Sequence, residues 1–490
     1  MNHLKPIVLV PRIVCLCLLS FLAWGCSLAP KYQRPEAPVP PTLGDLNLAE
    51  LNLDDPSGAL TSLDAQGLSK LKWEYFLPEE RLRALVGLAL EKNRDLRLAG
   101  LKILEARAEF GMSRSERFPM LEGELAQETS GGSRRSTQES YEAGLTLPVF
   151  EIDYLNRLGD LERAALETYL GTLEAARYAK IVLVSSVSGA YLRNRLAEER
   201  VKLMERNLNN FRVSRAFVEE RIRSGQADLL ELEQARGMVA YAEAQLEARK
   251  SELVTTQNEL SFWLGDFETE SLDLPKPLPL LKWPRLNLPE GLKSEVLLDR
   301  PDVMEAERAL IAANANIGAA RAAFFPSIGL TGSLGVMGMD LESLFRGGGD
   351  LWSFGPRLTI PIFNAGRNRA NLDLAEIRKD MAIVDYEMAI QKAFREVADG
   401  LGLRERLSQR LKAQTNYLNI QRRVLELATN RYQNGVIGYL EVLEAQRSVL
   451  EAELDLLEIK SDWILNDISL FAALGGGFPR EDTPNQGEKR

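Results

Sequence analysis

The chain has 490 residues, with 70 acidic and 60 basic side chains and a formal net charge of −10. An acidic balance of this size disfavours nucleic acid as a partner. A single histidine and three cysteines leave few of the nucleophile–imidazole pairs or metal clusters that enzymes use.

Residues 1–25 read as a targeting segment: Lys5 and Arg12 flank an apolar run, Ile13 to Ala23, too short to span a bilayer. The run leads into Ala23-Trp24-Gly25-Cys26, which resembles a bacterial lipoprotein cleavage site. Cleavage there removes His3, Cys15 and Cys17, and leaves 58 basic against 70 acidic residues, a net of −12. The mature chain then has no disulfide, no catalytic residues and no metal ligand set. Its one expected modification is an N-acyl diglyceride lipid on Cys26, with no other cofactor. Ser27, standing where Asp would signal inner-membrane retention, points to the outer membrane. The alternative is an ordinary signal peptide cut elsewhere.

Residues 26–78 begin with Pro30, Pro35, Pro38, Pro40 and Pro41 and suggest an extended strap lying over other elements. Helix is expected from Glu79 to about Arg117, followed by two alternating runs within about 119–150. A proline-free stretch follows Pro148, reverses at Arg221–Gly225 and ends at Leu264-Gly265. Residues 266–298 form a linker holding Pro275, Pro277, Pro279, Pro284 and Pro289. Helix resumes at Asp302, with Asp302 and Glu305 as its expected N-terminal cap. Two further alternating runs lie within about 326–363. A second proline-free stretch runs from Pro361 to Pro479, and its apolar residues Ile377, Met381, Val384, Met388, Val397, Leu401, Ile420, Val424 and Leu427 share one helix face. It breaks at Arg431–Gly438, where Gly435 and Gly438 permit a reversal. Arms of Asn368–Tyr432 and Tyr439–Leu474 would measure about 100 Å and about 55 Å. Residues 476–490 are a polar tail.

The segments 79–265 and 299–475 repeat each other in order. Asp95 matches Asp302 and Phe118-Pro119 matches Phe325-Pro326; Leu147–Phe150 matches Ile360–Phe363. Gly225 matches Gly435, Glu231 matches Glu441, and Leu264-Gly265 matches Leu474-Gly475. Each repeat carries two strand-like runs of about ten residues, apolar on alternate positions, as transmembrane β-strands are. A half-buried sheet in water is the rival reading; the lipoprotein-like start and the glycine-rich tips (Gly131-Gly132, Gly347–Gly349) favour the membrane. Four strands cannot close, and an open edge is not tolerated in hydrocarbon. Copies must combine. Three give twelve strands and an aqueous lumen, so a homotrimer in outer-membrane lipid is expected.

Several stretches are specific: Cys26-Ser27-Leu28-Ala29-Pro30-Lys31-Tyr32-Gln33-Arg34-Pro35, Arg300-Pro301-Asp302-Val303, Ala313-Asn314-Ala315-Asn316-Ile317-Gly318-Ala319-Ala320-Arg321, and Tyr439-Leu440-Glu441-Val442-Leu443-Glu444-Ala445-Gln446-Arg447. With Pro361–Arg367 and the terminal Ala473-Leu474-Gly475, the chain resembles the outer-membrane factor (TolC) family, in its lipoprotein branch serving RND-type multidrug efflux. The resemblance implies a mainly α fold with a shared β-barrel and a helical tunnel across the periplasm. It also implies docking to a periplasmic adaptor and an inner-membrane RND-type transporter. On the same basis Leu440, Glu441 and Glu444 would line the periplasmic aperture. A ring of carboxylates repels itself, so closure needs partners, and Arg431, Tyr432 and Glu231 on the two tips are the candidates, through charge-assisted hydrogen bonds. Gly225 and Gly435 would mark the adaptor-docking tips. The expected function is a passive exit duct for small toxic molecules. A duct for type I protein secretion, a non-channel structural lipoprotein and a periplasmic enzyme are the alternatives.

Overall fold

A computed structural model describes residues 26–42, 72–77, 79–132, 135–267, 293–342 and 349–478. The targeting segment, most of the linker, the tip residues Gly347 and Gly348 and the tail from residue 479 lie outside the described residues. The chain forms two compact units, each drawing on both sequence repeats. The first takes Met1–Ala37, Leu101–Glu174 and Met304–Met388; the second takes Pro38–Gly100, Ala175–Val303 and Ala389–Arg490.

After a short turn of helix at Trp73–Phe76, α1 (Glu80–Lys92) and α2 (Arg94–Ser115) occupy the stretch expected to be one helix. They separate at Asn93, whose ψ of 131° is extended. Its side chain explains the break: Asn93 Oδ1 accepts from Leu96 N at 3.0 Å and so caps α2. Strands β1 (Glu122–Gly132) and β2 (Arg135–Glu151) follow, then α3 (Arg157–Arg223) and α4 (Leu229–Leu264). The second repeat supplies α5 (Pro301–Ala322), β3 (Ser327–Gly338), β4 (Gly349–Thr359), α6 (Arg367–Gln433) and α7 (Tyr439–Ala473). The repeat is visible in lengths alone: α3 and α6 each have 67 residues, and α4 and α7 have 36 and 35.

In the first unit the strands form one antiparallel sheet in the order β1-β2-β3-β4. Register places Leu145, Leu334 and Trp352 in one row, and Ala143 between Leu125 and Val336 in the next. All lie on one face with Ile328, Leu330, Phe354 and Leu358. The opposite face carries Glu122, Glu124, Glu142, Thr146, Ser333, Ser353, Arg357 and Thr359. The apolar face is uncovered: Leu125 is 74% exposed, Leu334 64% and Trp352 73%. Among the described residues nothing of the same chain covers that face, as a lipid-facing sheet requires. Among the described residues no helix is long and apolar enough to cross a membrane.

In the second unit the hairpins α3–α4 and α6–α7 pack against each other around one core. Arg200 of α3 reaches Glu252 of α4 at 2.7 Å and Glu458 of α7 at 3.1 Å. Glu453 of α7 reaches Arg206 of α3 at 3.4 Å and Arg422 of α6 at 2.7 Å. Such half-exposed pairs contribute little stability each; the core between them, from Met204, Phe211, Val218, Met238, Tyr432 and Val442, contributes more.

Two expectations need correcting. The nine apolar residues of α6 do not share one face: at about 100° per residue Val397 and Leu401 lie across the helix from the others, and they are inside, whereas Ile377, Met381, Val384, Met388, Ile420, Val424 and Leu427 are 43% to 61% exposed. Helical spacing identifies a face but not what covers it. Asp302 is not the N-cap of α5. The helix starts at Pro301, a favoured first position. Asp302 accepts from the buried Arg300, Nε at 3.0 Å and Nη2 at 2.8 Å, and from Val303 N at 3.1 Å.

Candidate functional site

The site lies where the two helical hairpins of the second unit turn. Each 67-residue helix ends in the same six-residue device. Gly225 N donates to Ile222 O at 2.9 Å and Gln226 N to Arg221 O at 2.8 Å. In the other repeat Gly435 N donates to Tyr432 O at 3.0 Å and Val436 N to Arg431 O at 2.9 Å. This paired closure requires a left-handed residue after the helix. Gly225 and Gly435 supply it, with φ of 72° and 71°. The return helix α4 is capped by Asp228, which accepts from Glu231 N at 2.9 Å.

Between the two turns sits Tyr432, only 3% exposed. Its phenol donates to Glu231 Oε2 at 2.8 Å, so one hairpin is tied to the other. Arg221 completes the joint: its Nη1 donates to Tyr432 O at 2.7 Å, and its guanidinium lies 4.5 Å from the Tyr432 ring centre. Phe217 meets the same ring edge-on at 6.2 Å, and Tyr439 tilts against it at 5.5 Å. Tyr439 shares a hydrogen bond with Ser214 at 3.0 Å. Burial, and then the adjacent Glu231 carboxylate, push the Tyr432 hydroxyl well above the usual phenol range. Burial raises Tyr439 likewise.

The sequence-predicted residues are divided by this geometry. Glu231 and Tyr432, expected across the two tips, are in contact. Arg431 is exposed and the cation on Tyr432 is Arg221, from the other hairpin. One physical signal separates the two arginines: Arg221 precedes the turn glycine by four residues and Arg431 precedes its own by four, yet only the α3 copy faces a tyrosine. The equivalent of Tyr432 in α3 is Ile222, so the joint is asymmetric although the backbone is duplicated. Leu440 is 50% exposed, and Glu441 and Glu444 are exposed on α7. Sequence reasoning missed Arg221, Ser214 and Tyr439; the aromatic residue opening α7 was the available clue.

At the other end of the sequence, Cys26 is a free, exposed thiol. Ser27 beside it bonds to Asp160 of α3 at 2.8 Å.

A family model described as outer membrane efflux protein matches residues 85–266 and 292–476. The cation efflux system protein CusC of Escherichia coli strain K12 is 41% identical over 475 residues, 97% of this chain and all of that protein. The probable outer membrane lipoprotein SilC of Salmonella typhimurium is 41% identical over 461 residues, 94% of this chain and 97% of that one. A crystal structure of CusC, described in terms of folding and transmembrane channel formation, superposes with a TM-score of 0.83 at 41% identity, covering 92% of this chain and 100% of that one. A crystal structure of the open state of the Neisseria gonorrhoeae MtrE outer membrane channel gives a TM-score of 0.82 at 34% identity, covering 93% of this chain and 99% of that one.

Proposed function

The chain belongs to the outer membrane efflux protein family, and we propose that three copies of it close one passive exit duct, gated at the hairpin tips. It is an efflux channel protein of the outer membrane. The observation that carries the trimer is the sheet: four strands in simple order, β1 and β4 unpaired on their outer sides, and an apolar face with no cover. In hydrocarbon such edges must be paired. Two chains would give eight strands, whose interior fills with side chains; three give twelve and leave a water-filled lumen. The polar face, Glu122 through Thr359, then turns inward. The exposed stripe of α6, Ile377 to Met388, becomes a contact face between copies.

Threefold symmetry brings three copies of Leu440, Glu441 and Glu444 around the periplasmic aperture. Like charges about 6 Å apart repel by roughly 0.7 kcal/mol in water and by nearly 3 kcal/mol at an intermediate dielectric. The carboxylates therefore favour opening. The Tyr432–Glu231 bond, with Arg221 on the Tyr432 carbonyl, opposes it by holding the two hairpins of each chain together. A periplasmic adaptor docking at the Gly225 and Gly435 tips, with an RND-type inner-membrane transporter behind it, shifts that balance. The duct catalyses nothing; it passes small toxic solutes, cations among them by likeness to CusC. A lipid on Cys26 adds a second hold on the membrane.

Purified protein in planar bilayers tests this reading. We expect discrete ion-conducting steps, and a weaker cation preference when Glu441→Gln and Glu444→Gln are combined. Silent bilayers would reject the duct. Unchanged selectivity would move the aperture elsewhere.

A further inference from the structure

Two of the stretches most specific in the sequence, Cys26–Pro35 and Ala313–Arg321, meet in the first unit. Residues 27–34 run extended and antiparallel to α5. Arg321 Nη1 donates to Leu28 O at 3.3 Å and Asn314 Nδ2 to Pro30 O at 2.7 Å. Glu307 accepts from the Tyr32 hydroxyl at 3.0 Å and from Arg34 Nε and Nη2 at 2.7 and 2.6 Å. Residues 307, 314 and 321 are seven apart, so they form one row along a single face of the helix. The row reads the strap through its backbone carbonyls and ends on a bidentate ion pair.

The strap's first residue is held from a second helix. Ser27 Oγ lies 2.8 and 2.9 Å from the two carboxylate oxygens of Asp160 and accepts from Ala29 N at 3.1 Å. Asp160 is 1% exposed and also accepts from Asn156 Nδ2 at 3.1 Å. Gly318 stands where strap, α3 and α5 cross: a Cβ there would collide with Asp160 Oδ2 and come within 2.8 Å of Ala29. Only glycine lets the three elements approach this closely.

We propose that this face of α5, together with Asp160, is a receptor for the chain's own N-terminal strap, fixing Cys26 where β2 gives way to α3. The inference rests on Cys26 carrying a lipid, as read above. On a loose tether the lipid and the sheet engage the membrane independently of each other. Docked, the tether makes the anchor and the sheet two attachments at fixed spacing, so engagement of one raises the effective concentration of the other. The motif Asn314-x-x-x-Gly318-x-x-Arg321 is thereby assigned a ligand: Leu28, Ala29 and Pro30.

The test uses the full-length protein in detergent and follows trypsin cleavage after Lys31, by mass spectrometry of the released N-terminal peptide. The exposed Lys31 should be cut slowly while the strap is docked. We expect Ser27→Ala and Glu307→Gln each to speed cleavage at least fivefold, and Gly318→Val at least tenfold. The pair Ser27→Ala with Asp160→Ala should be cut more slowly than the product of the two single effects, since both remove the same Ser27–Asp160 contact. Equal rates in the wild type and Ser27→Ala, or effects that multiply in the double variant, would overturn the receptor. Labelled-palmitate incorporation is read separately: it should persist in all these variants and vanish in Cys26→Ala. An unlabelled wild type would overturn the lipid-positioning role, leaving docking to be judged by the cleavage rates.

Discussion

Asn93 and Arg300 hold corresponding places in the two repeats, and each donates to a carbonyl at the end of a return helix. Asn93 Nδ2 reaches Trp263 O at 3.0 Å, and Arg300 Nη1 reaches Ala473 O at 2.5 Å. The two bonds show that duplication preserved a joint while its chemistry diverged. Arg300 is 1% exposed and adds Asp302 and Glu396, each at 2.8 Å.

The divergence sets a difference in stability. Arg300→Ala leaves two carboxylates without their buried cation and should cost about 3–5 kcal/mol. Asn93→Ala removes a cap and one carbonyl bond and should cost about 1–2 kcal/mol. Denaturant midpoints of the two variants check the order; a milder effect for Arg300→Ala would show that its pairs are not holding the joint.

The tip latch should have an alkaline limit. Tyr432 is neutral when bonded to Glu231, and its folded-state titration lies above the ordinary value of 10.0. Its contribution is therefore full below pH 10 and is lost as pH rises toward the folded value, because the unfolded chain releases its proton first. Conductance in bilayers should be flat from neutral pH to about pH 10 and rise above it. Tyr432→Phe loses a bond to a charged group, about 1.5–3 kcal/mol. It should raise open probability at neutral pH and abolish the alkaline rise, as recordings across that range would reveal.

The two faces of β3 should respond oppositely to charge. Leu334→Arg places a cation on the apolar face and should cost about 2–4 kcal/mol of membrane stability if central in depth. Ser333→Arg, one residue away on the polar face, should assemble normally and alter conductance. Resistance of the assembled species to heating in detergent separates the two outcomes.

Left-handed glycines close both tips, so Gly225→Ala and Gly435→Ala should each cost about 1–2 kcal/mol. Neither position has a neighbour within 4 Å of an added Cβ, so the loss is backbone strain alone. Hydrogen exchange of the turn amides should report local opening without global unfolding.

The duplication, the hairpin turns and the strand pairs were legible because glycine, proline and two-residue alternation act locally. Gly225 and Gly435 sit where the sequence placed them, and the four alternating runs, two in each repeat, are the four strands. The contact across the tips was half legible. Tyr432 and Glu231 belong to sequence neighbourhoods that the repeat brings together, whereas the choice of Arg221 over Arg431 depends on which helix faces the ring. Asn93 broke a helix that periodicity alone continues, because a side-chain cap competes with propagation. Arg300 precedes the start of α5 in sequence; its burial among Asp302, Glu396 and Ala473 depends on residues up to 173 positions away. Three- and four-residue steps along α6 group Val397 and Leu401 with residues on the opposite face, and no spacing rule tells whether the surface covering the exposed ones comes from the same chain.

That surface is the central claim. Native mass spectrometry of the intact protein released from detergent measures it most directly. The account predicts a particle of three chains. A stable particle of one or two chains would leave the edges of β1 and β4 unpaired, or the lumen filled, and would contradict it.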